Sequence, residues 1–297
     1  MTSNYLIGVA LGLIGGILTQ AGQLLLKKAV NEVRRAGSER YLRRLIRHPV
    51  WLSGFVFGLG GGGVAYILSQ SIIGPALVPG LMAFGLIVLA VGSVKMNHEE
   101  LNAGEISGIF LMILGVFLLG LSGLEITSVQ VKAALADKPV LLRITFFTGS
   151  FFILFLITRS LIFQIKNRRG IFIALANGFL FALMDFWVNP LIAVIFIVLS
   201  GKGTGLQNVI FIFASLILTT SAVFTTWQTQ LAFRVGQASN IVPVAQVPIQ
   251  ISPIVVYFFV FGLSAPRETS FLYILSGTIL TMIAGFLLGR RQEIPID

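Results

Sequence analysis

The sequence contains no cysteine and only two histidines in 297 residues, and charged side chains make up just 11% of it. Without thiols there is no disulfide, no thiolate metal site and no cysteine nucleophile, and the same absence says nothing about redox compartment. With so few histidines, and no nucleophile, base and orienting group in sight, the sequence predicts no enzyme and no cofactor. A soluble domain carries about 25% charge to cover its surface. Here the place of charge is taken by apolar residues, 56% of the chain, in uninterrupted blocks holding or flanking 32 glycines and 25 phenylalanines. The hydrocarbon of a bilayer is the solvent that suits such blocks.

Runs of about 20 apolar residues predict an all-α polytopic membrane protein with nine spans, near 5–26, 50–73, 76–94, 106–123, 140–163, 171–199, 206–232, 238–262 and 270–289. The residues before the first run carry no basic group and the run continues to Leu26, so it reads as a retained span rather than a cleaved leader. The first loop carries Lys27, Lys28, Arg34, Arg35, Arg40, Arg43, Arg44 and Arg47 against Glu32 and Glu39. Basic loops stay in the cytoplasm. Nine spans then put the N-terminus outside and the C-terminus inside a cytoplasmic (plasma) membrane. Lys95, Arg159, Lys166, Arg168, Arg169, Arg234, Arg290 and Arg291 fall on the inner side too, and only Lys132, Lys138, Arg143, Lys202 and Arg267 fall outside. The net charge of +10 therefore belongs with anionic headgroups at the inner face rather than with nucleic acid, since no basic domain stands apart from the membrane.

Two stretches match in order. Leu77-Val78-Pro79 opens the third span after Gly74, and Ile241-Val242-Pro243 opens the eighth after Gly236; Gly108, Gly115 and Gly120 match Gly277, Ala284 and Gly289 at one constant offset of 169. This predicts a first repeat over 1–123, an external loop and connecting fifth helix over 124–170, and a second repeat over 171–297. A shift of five spans reverses direction across the bilayer, so the repeats are inverted, a transporter arrangement.

The run His48-Pro49-Val50-Trp51-Leu52-Ser53-Gly54, then Gly62-Gly63-Val64-Ala65, Pro75-Ala76-Leu77-Val78-Pro79, and Glu99-Glu100-Leu101 followed by Gly104, Gly108 and Gly115 resembles the drug/metabolite transporter (DMT, EamA-like) superfamily. Within it the chain is most similar to the NIPA-type magnesium transporters, nine-span proteins with a basic first loop. The resemblance implies transport, with magnesium as one candidate substrate. In that family an acidic residue follows a glycine in span two; an ungapped match puts Gly63 there, which draws the expectation away from magnesium and toward a small organic metabolite or cation.

Asp185 is the one acid inside a predicted span. A carboxylate at such depth costs several kcal/mol unless it is protonated, paired or facing water, so it marks an ion or solute pathway; the structural alternative is packing through a bond to Asn189 or a neighbouring helix. Asn189 lies one turn on, and Pro190 predicts tilt or a break in this long run. Span seven brings Thr219, Thr226 and Gln230 to one helical face, and span eight places Gln246 and Gln250 between Pro243, Pro248 and Pro253. Together with Gln20 in span one these are the predicted pathway residues, the alternative for each being interhelical hydrogen bonding. Gly8, Gly12 and Gly16 in span one and Gly54, Gly58 and Gly62 in span two are spaced to let helices approach, and with Pro79, Pro190 and Pro243 form the predicted packing and hinge set.

Gly58 to Gly63 matches the dinucleotide fingerprint but sits in an apolar span with no strand before it. Asn97, His98, Glu99 and Glu100 read as a solvated helix start, the acids favoured there by the dipole, and His48 reads as solvated. No site for a bound metal is defined. Besides a transporter of a small solute or ion, which a homodimer would accommodate equally well, the open readings are a magnesium transporter specifically, and a non-transporting scaffold or assembly subunit in which Asp185 and the glycines only mediate packing.

Overall fold

The computed structural model describes residues 3–35, 41–73, 78–124, 126, 128–164 and 169–288, and every regular element within them is helical. The Pro79 side chain, positions 74–77, Arg40, Lys166, Arg168 and positions 289–297 lie outside the described residues. The chain forms α1 (Ser3–Arg35), α2 (Tyr41–Ile46), α3 (Pro49–Phe55), a wide π turn (Val56–Gly62), α4 (Gly63–Ile73), α5 (Val78–Ala83), α6 (Gly85–Asn97), α7 (Ala103–Leu121), α8 (Ser128–Ala134), α9 (Lys138–Gln164), α10 (Arg169–Leu199), α11 (Gly205–Val235), α12 (Ala238–Val255), a second π turn (Val256–Val260) and α13 (Ser270–Leu288). Among the described residues eight helices are long and apolar enough to cross a bilayer, and Leu81–Asn97 is a shorter apolar helix in the place of the third span. The protein is a multi-pass, all-α membrane protein.

Three elements depart from expectation. The first helix does not stop at Leu26 but runs on to Arg35, so Lys27 and Lys28 are helical rather than loop residues. The tenth helix is continuous through Pro190 over its 31 residues. At 1.5 Å per residue it is about 46 Å long, well beyond the roughly 30 Å of hydrocarbon, so tilt rather than a break absorbs the excess. The third span, by contrast, is interrupted at Phe84 between α5 and α6.

The two halves are assembled alike. In the first, α1 packs along the second span (α3, its π turn and α4) and along α5 and α6; in the second, α10 packs along α11 and α12. The seam between them is the antiparallel pair α7 and α13. A Cβ on Gly115 would sit 2.9 Å from the Gly277 carbonyl oxygen, and one on Gly277 would sit 2.8 Å from that of Gly115. Gly108 approaches Ala284 and Leu288. Under the 169-residue offset the contact of Gly108 with Ala284 becomes that of Gly277 with Gly115, as a two-fold axis between the helices requires. The pair is tied at its other end by the Ser270 hydroxyl, which donates to the Ser122 carbonyl at 2.8 Å.

Glycine also sets the spacing inside each half. In α1, Gly16 lies so close to Met82 that a Cβ would overlap the Met82 carbonyl oxygen, and Gly178 in α10 approaches Ala245 of α12 in the same way. Gly12 faces Leu81 and Ser69, while Gly62 backs onto Thr19. Gly22, which its spacing does not distinguish, meets Gly58 and Gly54 at backbone distance: a Cβ there would be 2.6 Å from the Gly58 Cα.

Two apolar cores hold the bundle. One lies toward the end carrying the basic loop and joins both halves through Leu24, Val30, Leu86, Met112, Phe233 and Leu288. The other packs α8 to α11 near the opposite end, around Phe147, Phe151, Phe186 and Trp187. Large apolar side chains such as Leu142, Phe146, Phe196 and Phe271 point outward, which a lipid surround accommodates without cost.

Candidate functional site

A cavity of about 470 Å³ lies between the two halves, within the 300 to 1,000 Å³ typical of small-molecule sites. Its inner end, meaning the end nearer the basic loop, is bounded by Leu26, Phe55, Gln230 and Ile241, and it extends to Gln70, Leu124, Ile126 and Val256 at the end remote from that loop. All seven predicted pathway residues, Gln20, Asp185, Asn189, Thr226, Gln230, Gln246 and Gln250, line it, as do Gly58 and Gly62. Gly12, Gly16, Pro190 and Pro243 do not. Thr219, read onto the face of Thr226 and Gln230, is exposed and lies off the cavity, where Ala222, Thr225 and Thr229 complete the α11 wall.

Asp185 is exposed to this space, and among the described residues it makes no hydrogen bond or ion pair, to Asn189 or to anything else. The packing alternative needed such a bond. Tyr66 in α4 lies close enough to feel the carboxylate and accepts from Gln70 Nε2 at 3.0 Å. On α12, Gln250 Nε2 donates to Gln246 Oε1 at 3.2 Å. Tyr66, Gln70 and Asn177 were not among the predicted residues. The polar pair Tyr66 and Gln70, one turn apart in an apolar run, and the intramembrane Asn177, two turns before Asp185, were the available signals.

Asn177 is 4% exposed and donates through Nδ2 to Thr229 Oγ1 at 2.7 Å, while that hydroxyl donates to the Thr225 carbonyl at 2.8 Å. Because the single hydroxyl proton is committed, Thr229 can only accept from Asn177, so the amide is oriented and its Oδ1 is left as an acceptor. Among the described residues that oxygen has no partner, and neither do Gln20 Oε1, Gln23 Oε1 or either amide atom of Gln230.

Beyond the inner end the bundle is closed by charges that the sequence alone places at the surface. Glu99 is 6% exposed and accepts from the backbone N–H of Ala238 at 2.8 Å, from that of Ser239 at 3.1 Å and from the Ser239 hydroxyl at 2.7 Å. It caps the start of α12, where the side chain of the N-cap residue Gln237 does not do so. The sequence places this acid in solvent at the start of the fourth span; it is instead buried against the start of α12. His98, in the left-handed region at φ 53°, ends α6 and turns the chain toward that contact. Lys27, 7% exposed, donates to the Phe233 and Gly236 carbonyls at the end of α11. Cation on the C-terminal end and anion on the N-terminal end is the favourable pairing for both helix dipoles. Glu105, in a capping box with Asn102, also accepts from Asn240 Nδ2 at 2.8 Å. The turn between α11 and α12, in the second half, is thus gripped from the first half. His48 is not free either: its Nε2 lies 3.3 Å from Glu32.

Among the described residues no three His, Cys, Asp or Glu side chains come together. No family model, curated protein or solved structure matches this chain.

Proposed function

We propose that the protein is a secondary transporter of the drug/metabolite type that carries a small organic cation by alternating access. The observation that carries this reading is the Asp185 carboxylate, unpaired among the described residues and exposed in a 470 Å³ cavity whose other described lining residues are amides, hydroxyls and apolar groups. A scaffold gains nothing from an intramembrane charge without a partner. Two halves meeting at such a site, with one end of the bundle latched by Lys27 and Glu99, supply components of an alternating-access device.

Magnesium, which the resemblance implies, keeps several waters and is held through one or two carboxylates and further oxygens. Among the described residues the cavity supplies Asp185 as its one carboxylate, and Gly63, where the magnesium family carries an acid, lines the same space with nothing within 4 Å of where its Cβ would be. One negative charge among aromatic and amide groups suits a monovalent organic cation, which sheds its water more readily. The test is the purified full chain in liposomes, with labelled alkylammonium counterflow read beside magnesium influx. Saturable alkylammonium exchange is expected; magnesium influx without it, or no flux of either, overturns the reading.

Opening the other face requires the Lys27 and Glu99 grips to part. A charge-assisted hydrogen bond contributes roughly 1.5 to 3 kcal/mol, so Glu99→Gln is expected to shift the balance toward that opening by roughly tenfold or more. The chain has no native cysteine, so Val244→Cys, buried in the core at this end, gives a clean reporter. Its labelling rate by an impermeant thiol reagent added from the basic-loop side should rise by that factor. An unchanged rate would show that the grip does not gate access.

A further inference from the structure

We infer that the inner end of the cavity is a second, uncharged binding station whose acceptor is Asn177 Oδ1, assisted by Gln20, Gln23 and Gln230, and that it selects organic cations bearing N–H donors over quaternary ones. This rests on the cation reading above and adds the substrate class.

Its basis is atomic. Asn177 has its amide orientation imposed by Thr229, so the group facing away from that bond is a carbonyl oxygen and not an NH2. Gln20 and Gln230 are 5% and 2% exposed and carry unpartnered amide atoms; Gln23 Oε1 is also unpartnered. All four residues line the cavity. Such groups buried without partners cost about 1 to 3 kcal/mol each, a cost a structure retains where a ligand or water meets them in another state. Asn177 lies eight residues inward of Asp185 along an unbroken helix, about 12 Å at 1.5 Å per residue. The two stations therefore follow one another along the path: the carboxylate attracts any cation from the open end, and the amide oxygens take over as the solute moves inward. A carboxylate holds a tetraalkylammonium by charge alone. Amide oxygens bond strongly only to a cation that presents N–H groups to them, and a methylated nitrogen has none to offer.

The same orientation argument makes Thr229 a positioning residue. Without its hydroxyl the Asn177 amide is free to turn, and the station loses its fixed acceptor.

The test uses the purified full chain in nanodiscs and two probes of equal chain length, butylammonium and butyltrimethylammonium, with affinities measured by titration calorimetry. Asn177→Leu is expected to weaken butylammonium binding roughly tenfold or more and to leave butyltrimethylammonium within twofold. Thr229→Val, which keeps Asn177, should reproduce the same selectivity to a smaller degree and decides the matter if the leucine variant does not fold. Equal losses for both probes, or none for either, overturn the second station. If the unmodified chain binds neither probe, the cation reading itself fails, and the two failures are distinct.

Discussion

Asp185→Asn is expected to abolish cation binding and transport while leaving the protein folded and at least as stable. The carboxylate faces the cavity without a partner among the described residues, so nothing in the bundle is orphaned by neutralising it. Two unit charges about 4 Å apart at an effective dielectric of about 20 attract by about 4 kcal/mol. Losing most of that predicts a roughly 100- to 1,000-fold weaker affinity. The stability effect has the opposite sign, because a lone charge at this depth is costly to the empty protein. The measurement is a pair: alkylammonium titration and thermal midpoint on the same preparation. A variant that binds as tightly as the parent removes Asp185 from the pathway, and one that unfolds assigns it to packing.

Enlarging the glycines where helices touch is expected to produce the greatest loss of stability. At Gly16 and Gly178 the atoms a Cβ would strike are the carbonyl groups of Met82 and Ala245. Backbone cannot step aside as a flexible side chain can, so the helices themselves must separate. Overpacking typically costs about 1 to 3 kcal/mol, and Gly16→Ala and Gly178→Ala should each lose at least that much, seen as a lower thermal midpoint in detergent. Gly58→Ala is the matched control, since its Cβ would find ordinary contact at 3.6 Å from Gly22, and its midpoint should stay near that of the parent. A normal midpoint for both Gly16→Ala and Gly178→Ala would show that backbone contact does not set the spacing at these crossings.

The glycine pair illustrates how far a one-dimensional pattern reaches. Four-residue spacing correctly marks Gly12 and Gly16 as an approach face, because the helical period maps spacing onto a face. It marks Gly58, which tolerates a methyl group, and passes over Gly22, which does not. That difference depends on the rotation and distance of the neighbouring helix. The same limit explains Thr219: seven residues from Thr226 is close to the same helical face, yet the cavity wall is decided by where the opposing helices stand.

Composition and the placement of apolar runs alone determine that this is a helical, multi-pass membrane protein and that one acid sits where hydrocarbon should be. These follow from solvent: each apolar run needs about 30 Å of bilayer and each charge needs a reason to leave water. Tertiary structure decides the rest. Lys27 and Glu99 read as loop and surface charges because burial of a charge is costly, and what offsets that cost is the end of a helix 206 and 139 residues away. A helix end offers backbone carbonyls and N–H groups that no side-chain pattern encodes. Nor does any pattern encode the orientation of the Asn177 amide, which one committed proton on Thr229 imposes across the gap between α10 and α11.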